Sequence, residues 1–77
     1  MTLLDFAVVN GKSVEITGFA GDDVYRERLH EMGLRVGIRI TVLGRAPFGG
    51  PILIRFNTSF LALRNEEARC ALVKAEA

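Results

Sequence analysis

The sequence predicts an all-β domain with one short inserted helix. Three observations carry that expectation. Apolar and polar residues alternate over several short runs, as in Ser13 to Phe19 and Ile38 to Gly44, the period of a half-buried strand. Glycine, proline and asparagine clusters punctuate those runs at short intervals. A single stretch, Asp22 to Met32, carries apolar residues at helical spacing instead. With 77 residues, the chain is expected to form one domain over residues 1–77. A core of that size only just offsets chain entropy.

Taken in order, Leu3 to Val9 has no clear period and reads as an extended or one-turn lead-in to the turn signal Asn10-Gly11-Lys12. The strand from Ser13 to Phe19 places Val14 and Ile16 on one face and Ser13, Glu15 and Thr17 on the other. Gly18 and Gly21 loosen the backbone ahead of the helix. Asp22 and Asp23 stand where an N-cap and first-turn acids belong, because carboxylates accept from free helix N–H groups. Tyr25, Leu29 and Met32 form the expected buried stripe, with Arg26, Glu27, His30 and Glu31 pointing away. Gly33 followed by apolar Leu34 predicts a Schellman ending in which Leu34 packs onto the last turn. Gly37 marks a second tight turn.

Ile38, Ile40 and Val42 then alternate with Arg39, Thr41 and Leu43, and Ile52, Ile54 and Phe56 with Leu53 and Arg55. Between them lies Ala46-Pro47-Phe48-Gly49-Gly50-Pro51, which holds both prolines of the chain. Pairing is expected to stop at Pro47 and resume after Pro51, with the glycines taking positive φ at the tip. Phe48 is unusual in such a turn. It either folds back over the core, the commoner fate, or is held out for a partner. A shorter turn near Asn57-Thr58 leads to Phe60, Leu61 and Leu63. Asn65 as N-cap with Glu66 and Glu67 behind it predicts one turn of helix, Ala71 to Val73 a last strand, and Lys74 to Ala77 a frayed end. Five short strands bury their apolar faces best by curling, so an SH3-like small antiparallel barrel is expected.

The charge balance is +1, with 25% charged and 49% hydrophobic residues, which fits neither a disordered tail nor a membrane span. The early acid Asp5 and the lack of a basic N-terminal region argue against a signal peptide. The one cysteine, Cys70, cannot form an internal disulfide, so the cytoplasm is the expected compartment. From Arg26 to Arg64 there are seven arginines against two acids, Glu27 and Glu31. Scattered along strands, they read first as a solvated face and second as a nucleic-acid footprint.

No catalytic motif is present, so no enzyme is expected: the chain lacks a Gly-x-Ser-x-Gly elbow, a P-loop and a dinucleotide fingerprint. Glu27, His30 and Glu31 could offer two metal ligands, but a stable site takes three or four and Arg26 repels a cation. His30 is therefore expected on the exposed helix face, and Cys70 as a packed side chain. Neither a cofactor nor a metal is expected. A proline-rich ligand is disfavoured by the shortage of groove aromatics.

Three spaced blocks resemble one family. Arg28-Leu29-x-x-Met32-Gly33-Leu34-x-x-Gly37, then Ala46-Pro47-x-Gly49-x-Pro51, then Leu61-x-Leu63-Arg64 are similar to FeoA, the small cytosolic accessory protein of bacterial ferrous iron transport. Ile16-Thr17-Gly18-Phe19 also fits, and the similarity runs from about Leu3 to Val73. Asn10-Gly11 departs from the leucine-rich turn and Pro-Gly usual there. The resemblance implies an SH3-like domain that supports the membrane permease FeoB by contacting its cytosolic part, which carries a G-protein domain. Partner contact is expected from one combined surface: the hairpin tip, Pro47, Phe48, Gly49, Gly50 and Pro51, beside the helix end and its motif, Arg28, Leu29, Met32, Gly33, Leu34 and Gly37. Rival readings are a nucleic-acid-binding barrel and a self-associating scaffold.

Overall fold

The computed structural model describes residues 1–6 and 11–76. Its strands are β1 (Lys12–Phe19), β2 (Arg39–Arg45), β3 (Ile52–Phe56), β4 (Ser59–Leu63) and β5 (Ala71–Ala75). A helix, α1 (Asp23–Glu31), follows β1, a single turn, α2 (Asn65–Ala68), joins β4 to β5, and a 3₁₀ turn spans Leu3–Phe6. The strands form one antiparallel sheet in the order β4-β3-β2-β1-β5. Register irregularities at Ile16/Gly18 in β1 and Val42/Gly44 in β2 sharpen the bend of the sheet.

The alternation seen in the sequence sets the inside. Val14, Ile16, Ile40, Val42, Ile52, Ile54 and Phe56 join Leu63 of β4 and Val73 of β5 in one buried cluster. The first and last strands of the sheet thus share a core, and the sheet curls into the expected SH3-like barrel. Leu3 and Phe6 of the 3₁₀ turn and Leu29 and Leu34 at the end of α1 pack into the same cluster. Each such aliphatic side chain contributes about 1.5–3 kcal/mol by leaving water.

Local signals that depend on adjacent residues appear as expected. The Asp22 carboxylate accepts from the Val24 N–H at 2.9 Å, capping α1. At its other end the Leu34 N–H donates to the Leu29 carbonyl at 3.1 Å and the Gly33 N–H to the His30 carbonyl at 3.0 Å, with Gly33 at φ 98°. Those two bonds define a Schellman ending.

Four expectations need correction. His30 is half-buried rather than exposed, because its ring packs on Phe19 at a centroid distance of 4.6 Å. The cap of α2 is Arg64, not Asn65, since the Glu67 carboxylate reaches back to the Arg64 N–H at 2.8 Å and draws the helix start one residue earlier. Lys74 and Ala75 do not fray: they pair with Glu15 and Val14 of β1, and Glu76 donates to the Ser13 carbonyl. Positive φ at the hairpin falls on Phe48 and Gly49, not on Gly50. Asn10 of the first turn signal, Ala7 to Val9 of the lead-in and Ala77 lie outside the described residues.

Candidate interaction surface

The β2–β3 hairpin ends where Arg45 pairs with Ile52 and the Ala46 N–H donates to the Pro51 carbonyl at 2.9 Å. Inside the loop the Gly50 N–H is shared between the carbonyls of Pro47 and Ala46, at 3.2 and 3.3 Å. Closing so tight a loop forces left-handed backbone on two successive residues, Phe48 at φ 61° and Gly49 at φ 71°. For glycine that is free; for a bulky side chain it costs about 1–2 kcal/mol.

The tip is also braced from below. Arg45 sends Nε to the Gly50 carbonyl at 3.3 Å and Nη2 to Asn65 Oδ1 at 2.6 Å. Asn65 in turn donates through Nδ2 to the Gly49 carbonyl at 3.3 Å. Side chains from β2 and α2 thus tie the loop to the barrel. An open groove of about 280 Å³ lies alongside, lined by Gly49, Gly50, Pro51, Arg64, Asn65 and Glu66. Phe48 crowns this assembly at 105% relative exposure. The expectation that its ring folds back over the core is overturned, because the left-handed backbone aims it away from the barrel. A loop held by backbone and side-chain hydrogen bonds around a wholly exposed aromatic is a preorganised anchor.

The other half of the expected surface is arranged differently. Leu29 and Leu34 are fully buried, and neither is accessible to a partner; the Schellman bonds turn Leu34 inward. Met32 is half-buried against the core. Gly33 sits against the Phe56 ring, 3.7 Å from where a Cβ would lie, and Gly37 donates its N–H to the Ile16 carbonyl at 2.8 Å. Phe56 ends β3 at the opposite end from Ile52. The helix end and Gly37 therefore lie at one end of the β2–β3 ladder and the hairpin tip at the other. Seven residues of β2 separate them, roughly 20 Å of strand. The single combined surface is corrected to two separate bends, and only the tip presents an exposed aromatic.

Arg28 takes part in something the sequence did not reveal. Its Nη1 approaches Glu67 Oε2 at 3.4 Å, linking α1 to α2. Glu67 is the one buried charged residue described, at 2% exposure. Its carboxylate serves both Arg28 and the Arg64 N–H, so the turn that holds Asn65 under the tip is itself anchored to the helix. Partners 39 residues apart leave no local pattern to find.

On the far flank, Phe19, Asp23, Arg26, Glu27 and His30 line a shallow groove of about 240 Å³ in which Arg26 pairs with Asp23. Among the described residues no three His, Cys, Asp or Glu side chains converge as a metal site. Cys70 is buried and donates to the Glu66 carbonyl at 3.4 Å. No described helix is long and apolar enough to cross a membrane.

A family model described as the FeoA domain matches residues 1–75. The solved FeoA-like protein of Clostridium acetobutylicum is 29% identical, with a TM-score of 0.87 over 97% of this chain and 85% of that one. FeoA of Chlorobium tepidum is 34% identical, with a TM-score of 0.84 over 100% and 71%. FeoA of Stenotrophomonas maltophilia, solved in complex with zinc, is 26% identical, with a TM-score of 0.77 over 96% and 89%. That protein is described as a prokaryotic SH3 domain protein and is suggested there to be a ferrous iron transport activating factor. No curated protein matches this chain.

Proposed function

Because this chain belongs to the FeoA family, we propose that it is a non-enzymatic accessory protein of bacterial ferrous iron uptake that acts in the cytoplasm by contacting the cytosolic part of the permease FeoB. The activating role suggested for the Stenotrophomonas relative fits such a contact. One observation carries the reading: Phe48, fully exposed and left-handed, on a tip braced by Arg45 and Asn65. Strained, exposed aromatics persist where something other than packing uses them. The contact surface consists of Pro47, Phe48, Gly49, Gly50 and Pro51 with the neighbouring start of α2.

The test is capture of this chain by the cytosolic part of FeoB, with and without guanine nucleotide, for the native sequence and for Phe48→Ala. An aromatic hot spot is worth about 2 kcal/mol or more, so the variant is expected to bind about thirtyfold more weakly. Equal binding of the two proteins would remove Phe48 from the interface and with it this proposal.

A further inference from the structure

We infer that the free edge of β4, with the apolar outer face beside it, binds an extended acidic segment of another protein as an added strand. The surface is distinct from the hairpin tip, and the inference does not depend on the tip's partner.

The two edges of the sheet are treated differently. Along β5 the N-terminus lies across the edge: the Val73 N–H donates to the Met1 carbonyl at 2.9 Å and Thr2 bridges Leu72. No described segment pairs with the outer side of β4. Edge strands are usually protected by charge, proline or a bulge, yet β4 reads Ser-Phe-Leu-Ala-Leu and pairs with β3 in unbroken register. In an antiparallel pair every second residue turns its N–H and carbonyl away from its neighbour. The two-residue turn closes on Phe56 and Ser59, which leaves Phe60 and Ala62 facing outward.

The side chains beside that edge select the occupant. Leu43, Leu53, Phe60, Leu61 and Ala62 line a groove of about 310 Å³, with Phe60 at 68% and Leu53 at 43% exposure. Arg55 stands on the same face in register with Phe60 and has no ion pair among the described residues. From Met32 to Asn65 the sequence contains no acid at all. A strand that carries an acid and an apolar residue two positions apart on one face, the acid opposite Phe60 and turned towards Arg55 and the apolar residue opposite Ala62, satisfies the free backbone groups, the unpaired charge and the groove together.

The probe is a short capped peptide, Thr-Val-Thr-Glu-Thr-Val-Thr, which sets glutamate and valine on one face of the strand, titrated by fluorescence anisotropy, with the same peptide carrying lysine in place of glutamate as control. The glutamate peptide is expected to bind about tenfold or more tightly than the lysine one and to slow exchange of the Phe60 and Ala62 amides. Ala62→Pro removes an outward N–H that β3 does not use, and Arg55→Glu inverts the charge. Each is expected to weaken binding about tenfold, the equivalent of one charge-assisted or backbone hydrogen bond. Equal binding of the lysine peptide would overturn the inference. So would protection at β5 instead of β4, displacement of the peptide by a single-stranded oligonucleotide, or concentration-dependent dimerisation that protects the same amides.

Discussion

Replacing Phe48 by glycine should leave the protein as stable as before or more so, which is the reverse of what removing a phenylalanine usually does. The ring is fully exposed, so its loss forfeits no buried area and leaves no cavity. The backbone at φ 61° costs a bulky residue about 1–2 kcal/mol that glycine does not incur. Against this, glycine adds roughly 0.5–1 kcal/mol of chain entropy to the unfolded state. The balance is a gain of about 0–1.5 kcal/mol, and in a domain this small about 1 kcal/mol moves the melting temperature by roughly 4–8 °C. Phe48→Ala keeps the Cβ and hence the strain, so it should match the native protein. Urea denaturation of the three proteins, read by far-UV circular dichroism, gives the order directly. If both variants lose more than about 1 kcal/mol, the ring contributes to the core and the account of the tip is wrong.

Two further pairs of substitutions probe the barrel that carries the tip. Gly21 and Gly37 have nearly equal positive φ, 86° and 91°, but a Cβ on Gly21 would lie 2.9 Å from Cys70 Sγ while one on Gly37 meets nothing within 4 Å. Gly37→Ala should therefore cost only the conformational term, about 1–2 kcal/mol, and Gly21→Ala more; adding Cys70→Ala to Gly21→Ala should recover the difference in thermal denaturation. Glu67→Ala should cost about 2 kcal/mol, because it strips the cap from α2 and a partner from Arg28. Arg28→Ala, whose side chain is 48% exposed, should cost less than about 1 kcal/mol; equal losses by chemical denaturation would mean that the ion pair and not the cap holds α2.

Much of this fold was legible because its signals are local. The alternation of Val14 with Ile16 and of Ile52 with Ile54 fixes which faces are buried, and a glycine before an apolar residue defines how α1 ends. What could not be read depends on partners distant in sequence. Lys74 and Ala75 look like a fraying tail until β1 supplies their pairs. Asn65 has the chemistry of an N-cap, but the hairpin loop recruits its amide and Glu67 caps Arg64 instead. The candidate site divides in the same way. The motif residues Leu29, Gly33, Leu34 and Gly37 were legible as a recurring pattern, yet their work is to close the core. Phe48 stands out in the sequence as an aromatic in a turn, but only the loop's left-handed backbone determines that it points outward, and the Arg45 and Asn65 brace that stiffens it spans 20 residues of sequence.

The proposed contact with FeoB depends most on which bend of the barrel it uses. Adding the cytosolic part of FeoB to isotopically labelled protein and following the backbone amides by NMR tests this directly. Shifts and line broadening should centre on Phe48, Gly49 and Gly50 and on Asn65 and Glu66 of α2, with Gly33 and Gly37 unmoved. Perturbation centred on Met32 to Gly37, with the hairpin tip silent, would contradict it.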